Sequence, residues 1–222
     1  MKKLLASAIA LMTVGFTYAQ GNVDYTTQTG VLNDVSTHQT GELNWNKLTQ
    51  SGDSNAATIT QTGKRNRDEA LSDGKHNVID ILQVGKDNNS WTAQYGDRNK
   101  VSLDQDGDFN SAVAYQQGND NKIANATMPL LQRGDHNTAD HRQYGDNNEV
   151  QNSQRGNWNT AIGLQFNDSQ TIGQYQVGNG NYSNDTQSGY HNTAYNVQNG
   201  DGNYHLGVQA GINNVASVTQ NN

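Results

Sequence analysis

The sequence lacks cysteine, has a single proline, and is poor in apolar side chains. Aromatic residues make up 7% and hydrophobic residues 32% of its 222 residues. The absence of cysteine excludes a disulfide framework, and the apolar content is too small for an ordinary enclosed core. The chain is therefore either disordered or folded by the stacking of repeated units.

Long hydrophobic runs are also missing, with one exception at the N-terminus. Residues 4–16 are mostly apolar and follow two lysines, and Thr17 and Ala19 place small residues at the −3 and −1 positions of a cleavage site. This layout predicts that residues 1–19 are a secretory signal peptide and not a membrane anchor. Removing its two lysines from the 14 basic residues leaves 12 against 21 acidic residues. We expect an exported, acidic protein that is not embedded in a membrane and does not bind nucleic acid.

What the chain has instead is a glutamine every eleven residues. Counted from Gln28, seventeen of the eighteen register positions are Gln, and Ser72 is the exception. Gly stands two residues after the register position and Asn five residues after it, each in sixteen of seventeen units. The two exceptions are Asn167 and Gln170. Such constant phase predicts a repeat array.

The array is predicted to span residues 20–222 as a single domain of eighteen eleven-residue units, with an insertion near residues 125–129. The register Gln residues are Gln28, Gln39, Gln50, Gln61, Gln83, Gln94, Gln105, Gln116, Gln132, Gln143, Gln154, Gln165, Gln176, Gln187, Gln198, Gln209 and Gln220. The register Asn residues are Asn33, Asn44, Asn55, Asn66, Asn77, Asn88, Asn99, Asn110, Asn121, Asn137, Asn148, Asn159, Asn181, Asn192, Asn203 and Asn214. The register Gly residues are Gly30, Gly41, Gly52, Gly63, Gly74, Gly85, Gly96, Gly107, Gly118, Gly134, Gly145, Gly156, Gly178, Gly189, Gly200 and Gly211.

Each unit fits a strand followed by a turn. Alternate side chains of a strand point the same way, so Asn, the second and fourth residues after it, and the next Gln share one face. The residues between Gln and the next Asn are mostly polar and include the register Gly, which supplies the positive φ of a tight arc.

The position two residues after Asn distinguishes alternate units. One alternate set has apolar residues there, and the other set has small or polar residues. The true period is therefore 22 residues with two unlike strands. This predicts an all-β fold, a two-sheet β-solenoid of about nine 22-residue coils with parallel, in-register stacking. A flat antiparallel meander is the alternative that the eleven-residue spacing leaves open.

Stacking explains why the repeated residues are Gln and Asn. A buried amide is costly when unsatisfied, but in a stack each amide donates to one neighbour and accepts from the other, as in cross-β zippers. Neither end of the array shows an atypical cap, since Gln28 lies close to the predicted cleavage site and only two residues follow Gln220. Open strand edges of this kind predict head-to-tail assembly into fibres.

The frame Gln-x-Gly-x-x-Asn-x-Ala-x-x-x-Gln, as in QSGDSNAATITQ and QRGDHNTADHRQ, resembles the curlin repeat of bacterial curli subunits. The resemblance covers essentially the whole mature chain. It implies an extracellular functional amyloid of the biofilm matrix, involved in adhesion, exported through a dedicated outer-membrane channel and nucleated by a companion subunit. The chain departs from the familiar family members in having more coils, in lacking an appreciable non-repeat segment after the signal peptide, and in the sequence NATMP within its insertion.

Catalytic chemistry has no clear candidate in the sequence. The six histidines show no metal-ligand spacing, and no nucleophile or acid/base pair stands out. We expect no enzymatic activity, no cofactor and no metal. The alternative function is a monomeric secreted β-solenoid that binds a surface or ligand, of ice-binding or adhesin type. An ice-binding face needs a regular row of Thr, and the outward position before each register Gln keeps none.

Two acidic residues are candidate gatekeepers against premature assembly. Asp68 and Asp185 are predicted to lie on the inward face, where a charge is costly. Ser72 further weakens the unit that contains Asp68. We interpret these residues as slowing assembly until the protein is outside the cell, so replacing both Asp residues by Ala is expected to shorten the lag before fibre growth.

Overall fold

The structure, a computed structural model, describes residues 21–123 and 130–222. The predicted signal peptide and residues 125–129 of the insertion lie outside this part of the chain. In the described ranges there is no helix long and apolar enough to cross a membrane. These residues form β-strands joined by tight arcs, so the all-β prediction is confirmed.

The strands are short and evenly spaced along the chain. In order they are β1 (Val23–Val31), β2 (Asp34–Glu42), β3 (Trp45–Asp53), β4 (Ala56–Lys64), β5 (Arg67–Lys75), β6 (Val78–Lys86), β7 (Asn89–Tyr95), β8 (Lys100–Asp106), β9 (Ser111–Gln117), β10 (Lys122–Ile123), β11 (Leu130–Arg133), β12 (Thr138–Tyr144), β13 (Glu149–Arg155), β14 (Thr160–Phe166), β15 (Thr171–Val177), β16 (Tyr182–Tyr190), β17 (Thr193–Asn199), β18 (Tyr204–Ile212) and β19 (Val215–Asn221). Apart from β11, each strand begins at the residue after its register Asn, or after Gln170 in β15, and several extend past the register Gly, further than the sequence predicted.

Alternate strands build two parallel sheets. Sheet 1 has the order β1-β3-β5-β7-β9-β12-β14-β16-β18, and sheet 2 has the order β2-β4-β6-β8-β10-β13-β15-β17-β19, with β11 also pairing β8 and β13. Gln28 stands opposite Gln50 in sheet 1, and Gln39 stands opposite Gln61 in sheet 2. The register is thus one 22-residue coil, which confirms the two-sheet solenoid of about nine coils and excludes the antiparallel meander.

The core is a narrow column between the two sheets, and its character changes along the stack. Ile59, Ile81 and Leu103 are buried on sheet 2 in the first half of the stack. Further along the same column, polar side chains are buried instead, beginning with Asn152 and Gln174. Val150 and Ile172 keep apolar burial in the second half, so there the hydrogen bonds of the buried amides add to a smaller apolar contribution.

Two kinds of arc connect the sheets. Arc 1 leads from sheet 1 to sheet 2, as in residues 28–33, and arc 2 leads back, as in residues 39–44. All register glycines have positive φ, between 100° and 133°. A Cβ on Gly52 would lie 2.0 Å from the carbonyl oxygen of Gly74 in the next coil, so stacked arcs leave no room for a side chain.

The two ends of the stack expose their strands. Gln28 and the rest of β1 lie largely open at the N-terminal end, and β18 and β19 lie open at the C-terminal end. Within residues 21–123 and 130–222, the outer edges of these strands pair with nothing. Among the residues that the structure describes, the predicted absence of caps is therefore confirmed.

Candidate functional site: amide ladders and open edges

Register Gln residues are joined into hydrogen-bonded ladders along both arcs. Each Nε2 donates to the Oε1 of the Gln one coil later, with N···O distances of 2.7–3.1 Å. The second Nε2 hydrogen goes to a backbone carbonyl of the facing sheet, as from Gln61 to Trp45 at 3.1 Å. In arc 2 this ladder runs unbroken from Gln39 to Gln220. Every bond points from the N-terminal end toward the C-terminal end.

Register Asn residues form ladders that point the opposite way. The backbone N–H of each Asn donates to the Oδ1 of the Asn one coil earlier, as from Asn66 to Asn44 at 3.0 Å. The Nδ2 of Asn66 also donates forward to the carbonyl of Gly85 at 3.0 Å, which ties the arc to the next coil. The Gln and Asn ladders predicted from the repeat are therefore confirmed. Their opposite directions were not apparent from the sequence.

Ser72 interrupts the Gln ladder of arc 1. Its register partners are Gln50 and Gln94, and its hydroxyl is too short to reach either amide. Gln50 Nε2, Ser72 Oγ and Gln94 Oε1 are all buried without a hydrogen-bond partner among the described residues. Since an unsatisfied buried polar group costs about 1–3 kcal/mol, this is the weakest point of the ladder.

A second interruption lies in the Asn ladder of the same arc. Gln170 replaces Asn, and its Nε2 donates to the carbonyl oxygens of Phe166 and Gly189, while its Oε1 is buried without a partner. In the described part of the chain no hydrogen bond joins Gln170 to Asn192. Asn167, which replaces the register Gly, holds a φ of 75°. Both defects fall in arc 1, and the ladders of arc 2 are complete.

Asp68 is buried with one hydrogen bond. Ser90 Oγ donates to its Oδ1 at 2.5 Å, and its Oδ2 has no partner in the described ranges. Asn46, its register neighbour one coil earlier, also has a buried Oδ1 without a partner. Burial raises the pKa of Asp68 to about 7; the Ser90 hydrogen bond opposes this rise and the charge of Glu69 adds to it.

Asp185 is buried too, but its carboxylate is well supplied with donors. It accepts hydrogen bonds from Gln174 Nε2 at 2.9 Å, from Ser183 Oγ at 3.3 Å, and contacts His205 Nε2 at 2.9 Å. Gln174 and Ser183 are also bonded to each other at 2.9 Å. The structure therefore places both candidate gatekeepers inside, as predicted, but in unlike surroundings.

His141 is a further buried titratable group that the sequence did not single out. Its Nε2 lies 3.0 Å from Asn152 Nδ2, and the absence of a side chain on Gly163 leaves space for the ring. Burial lowers the pKa of His141 to about 3. The ring is therefore neutral in the fold, and Nε2 accepts the Asn152 hydrogen.

The arcs carry a second set of ladders that the repeat frame did not predict. Asp or Asn three residues after the register Gln accepts the backbone N–H of the equivalent residue one coil earlier, as from Lys75 to Asp97 at 2.8 Å and from Asp108 to Asp135 at 2.8 Å. The following residue adopts positive φ in every unit, even where it is Phe109 or Trp158. The frequent GD and GN dipeptides are the signal that, in hindsight, marks these acceptors.

Cations of the arcs pair with acids one coil away. Lys64 Nζ lies 2.8 Å from Glu42 Oε2, and the Arg65 guanidinium makes two bonds of 2.6 Å to Asp87. These hydrogen bonds lower the pKa values of both carboxyl groups. Because these pairs lie at the surface, with only Asp87 largely covered, their contribution to stability is small. Among the described residues, no group of three or more His, Asp or Glu is arranged to hold a metal.

Exposed aromatic rings also stack along the coil axis. Phe109, His136 and Trp158 form one column in arc 2, with successive ring centroids 4.9 and 4.0 Å apart. Tyr144 and Phe166 stack at 5.3 Å on the outer face of sheet 1. These columns stabilise neighbouring coils and leave ring edges in solvent.

The two ends of the stack present complementary ladder groups. At the C-terminal end, Gln209 and Gln220 each keep an Nε2 hydrogen, and Asn214 Oδ1 accepts nothing from a later coil. At the N-terminal end, Gln28 Oε1 accepts from no earlier coil and the Asn33 backbone N–H has no earlier Oδ1 within the described residues. The C-terminal end thus offers Gln donors and an Asn acceptor, and the N-terminal end offers the matching Gln acceptor and Asn backbone N–H.

The fold and these ladders define a class, the parallel two-sheet β-solenoid with amide ladders along both arcs. The family model for the curlin associated repeat matches residues 33–63, 74–107 and 96–124. The prediction that this chain carries curlin repeats is therefore confirmed. Comparison with curated proteins and with solved structures found no match.

Proposed function

We propose that this protein is a secreted structural subunit that assembles head to tail into extracellular, curli-like amyloid fibres of a bacterial biofilm matrix. The observation that carries the proposal is the pair of open, complementary ends. A second copy stacked on β18 and β19 through its own β1 and β2 continues both sheets and all ladders. It also covers the strand edges that otherwise favour uncontrolled pairing.

The ladder directions favour one polarity of assembly. Contact between two C-terminal ends sets the free Gln hydrogens of one copy against those of the other. Contact between two N-terminal ends sets the free Gln acceptors of one copy against those of the other. Only head-to-tail contact pairs each donor with an acceptor, and a non-closing contact of this kind produces a filament.

The cellular setting of the proposal comes from the curlin repeat and the predicted signal peptide. We infer export through an outer-membrane channel, nucleation by a companion subunit and a role in adhesion. A structural role agrees with the solenoid fold and the curlin repeats, and we assign the protein no catalytic activity.

The proposal is tested by incubating purified residues 20–222 and following the solution by electron microscopy and fibre diffraction. The expected result is unbranched fibres with a meridional spacing of about 4.7–4.8 Å and a fibre axis parallel to the stacking direction. A persistently monomeric solution would favour the monomeric surface-binding or ligand-binding solenoid instead.

A further inference from the structure

The charged residues of the two ends are distributed unequally. Strands β1 and β2 at the N-terminal end carry Asp24, Asp34 and Glu42 and no Lys or Arg. Strands β18 and β19 at the C-terminal end carry no Asp, Glu, Lys or Arg, and His205 is their one titratable side chain apart from Tyr204. The N-terminal end is therefore acidic, with His38 of β2 as its one imidazole, and His205 is the group of the C-terminal end that can donate to a carboxylate.

The large hydrophobic side chains with the greatest exposure also gather at the ends. Leu32 is 82% exposed at the N-terminal end, and Val208 and Val215 are 80% and 77% exposed at the C-terminal end. Equivalent interior positions face outward too, as Phe109 does at 45% exposure, but their strands are covered on both edges by neighbouring coils. A second copy is thus the occupant whose shape and chemistry fit both ends.

Extending the 22-residue register across a junction fixes which residues meet. Gln209 stands one coil before Gln28 of the next copy, because sheet 1 pairs every register Gln with its equivalent. The same offset places Ala210 beside Thr29 of the next copy. It also places His205 beside Asp24 of the next copy, since both lie four residues before their register Gln on the inward face.

His205 and Asp24 can each make a further hydrogen bond. His205 contacts Asp185 through Nε2 at 2.9 Å, and its Nδ1 makes no hydrogen bond in the described part of the chain. Asp24 Oδ1 accepts from Asn46 Nδ2 at 2.6 Å and from Thr26 Oγ1 at 3.2 Å, and no cation pairs with it there.

We propose that fibre elongation by this protein uses a cross-copy ion pair, in which His205 of one copy lies between its own Asp185 and Asp24 of the next copy. The inference rests on the proposed head-to-tail assembly and adds its register and its charge recognition. The pair forms only between unlike ends, because contact between N-terminal ends brings Asp24 against Asp24.

A double-mutant cycle tests the pair. Asp24→Asn keeps an acceptor for Asn46 and removes the charge, and His205→Gln keeps a donor for Asp185. Seeded elongation rates are measured for the wild type, each single variant and the double variant, with each protein growing on its own seeds. We expect each single variant to slow elongation about three- to tenfold, and the double variant to be no slower than the slower single variant, because both remove one interaction. Asp34→Asn, at the same end, is the matched control and is expected to change the rate less than twofold. Multiplying effects in the double variant would overturn the pair.

Engineered cysteines test the register in a chain that has none of its own. Thr29→Cys and Ala210→Cys in one chain place two exposed thiols one strand spacing apart across the junction, within disulfide reach. Fibres of this variant are oxidised and dissolved in denaturant without reductant, and we expect a series of covalent multimers. Thr29→Cys with Ser188→Cys is one coil out of register and is expected to stay monomeric, as is each single variant. If fibres form, crosslinking in any of these controls, or its absence in the paired variant, contradicts the register. If no fibres form, the proposed function itself is contradicted.

Discussion

Gln50 and Gln94 stand two coils apart in the arc 1 ladder, and Ser72 between them leaves the Gln50 Nε2 donor and the Gln94 Oε1 acceptor without a partner in the described residues. Replacing Ser72 by Gln restores the missing donor and acceptor. Because two buried polar atoms gain partners and the unsatisfied Ser72 hydroxyl is removed, we expect the free energy of unfolding to rise by about 2 kcal/mol. Guanidinium titration of the assembled protein measures the change.

Ser51→Gln is the matched control for this substitution. Ser51 follows Gln50 on the outward face, so an added amide there meets solvent and is expected to alter stability by less than about 0.5 kcal/mol. An unchanged or lower midpoint for Ser72→Gln would show that the gap is already satisfied in another way.

The two candidate gatekeepers are expected to respond in opposite directions. Asp68→Ala removes a buried carboxyl group with a single donor, so it is expected to shorten the lag before fibre growth. Asp185→Ala leaves Gln174, Ser183 and His205 without their acceptor and is expected to lengthen the lag. This restricts the gatekeeper proposal to Asp68. Thioflavin fluorescence at matched monomer concentration measures both lags, and equal shortening by the two substitutions would return Asp185 to the same role.

Asp68 and His141 are buried with opposite pKa shifts, so their effects on the pH dependence of the free energy of unfolding oppose each other. The pKa of Asp68 is raised to about 7, so between its unfolded value near 4 and pH 7 the fold holds a proton that the unfolded chain has lost, and stability falls as pH rises. The pKa of His141 is lowered to about 3, so between pH 3 and its unfolded value near 6.5 the unfolded chain holds the extra proton, and stability rises with pH. From about pH 4 to 6.5 the two slopes cancel.

Neutral substitutions separate these slopes. Asp68→Asn removes the falling slope and exposes a rise on the order of 1 kcal/mol per pH unit, and His141→Gln exposes a fall of similar size. The free energy of unfolding is measured by guanidinium titration at half-unit steps from pH 4 to 7. Asp73→Asn, exposed on the same strand as Asp68, is the control and should follow the wild type. Parallel curves for all variants would contradict the assignment.

The repeat frame predicted the fold well because its information is periodic. Seventeen Gln residues in phase set the register, and the apolar and polar alternation after Asn set the period at 22 residues. The repeat does not predict contacts between individual side chains, because these do not follow from a residue's position in the repeat. That Asp185 meets His205 while Asp68 faces Asn46 follows from which side chains share adjacent coils, at positions the frame leaves variable.

The direction of the ladders was likewise beyond sequence reasoning. Gln and Asn both carry one donor group and one acceptor, so composition allows either direction. The extra reach of Gln lets Nε2 touch both the next coil and the facing backbone, as Gln61 does. The shorter Asn bonds to the arc backbone of the next coil, as Asn66 does with Gly85, and to the Asn amide of the coil before it, as Asn66 does with Asn44. Side-chain length therefore decides which end of the stack donates.

Gln170 supplies the last prediction, because its Nε2 keeps the carbonyl bonds of a register Asn while its Oε1 does not accept the backbone N–H of Asn192. Gln170→Asn restores an Oδ1 at the position that accepts the backbone N–H of Asn192, and we expect a gain of about 1 kcal/mol in the free energy of unfolding. Combined with Ser72→Gln, the gains are expected to add within about 0.5 kcal/mol, because the two sites lie several coils apart and share no partner. Guanidinium titration of the two single variants and the double variant measures both terms. A double variant more stable than this sum would show that the two defects of arc 1 open as one cooperative unit. A double variant no more stable than the better single variant would show that only one of the two defects limits the stability of the stack.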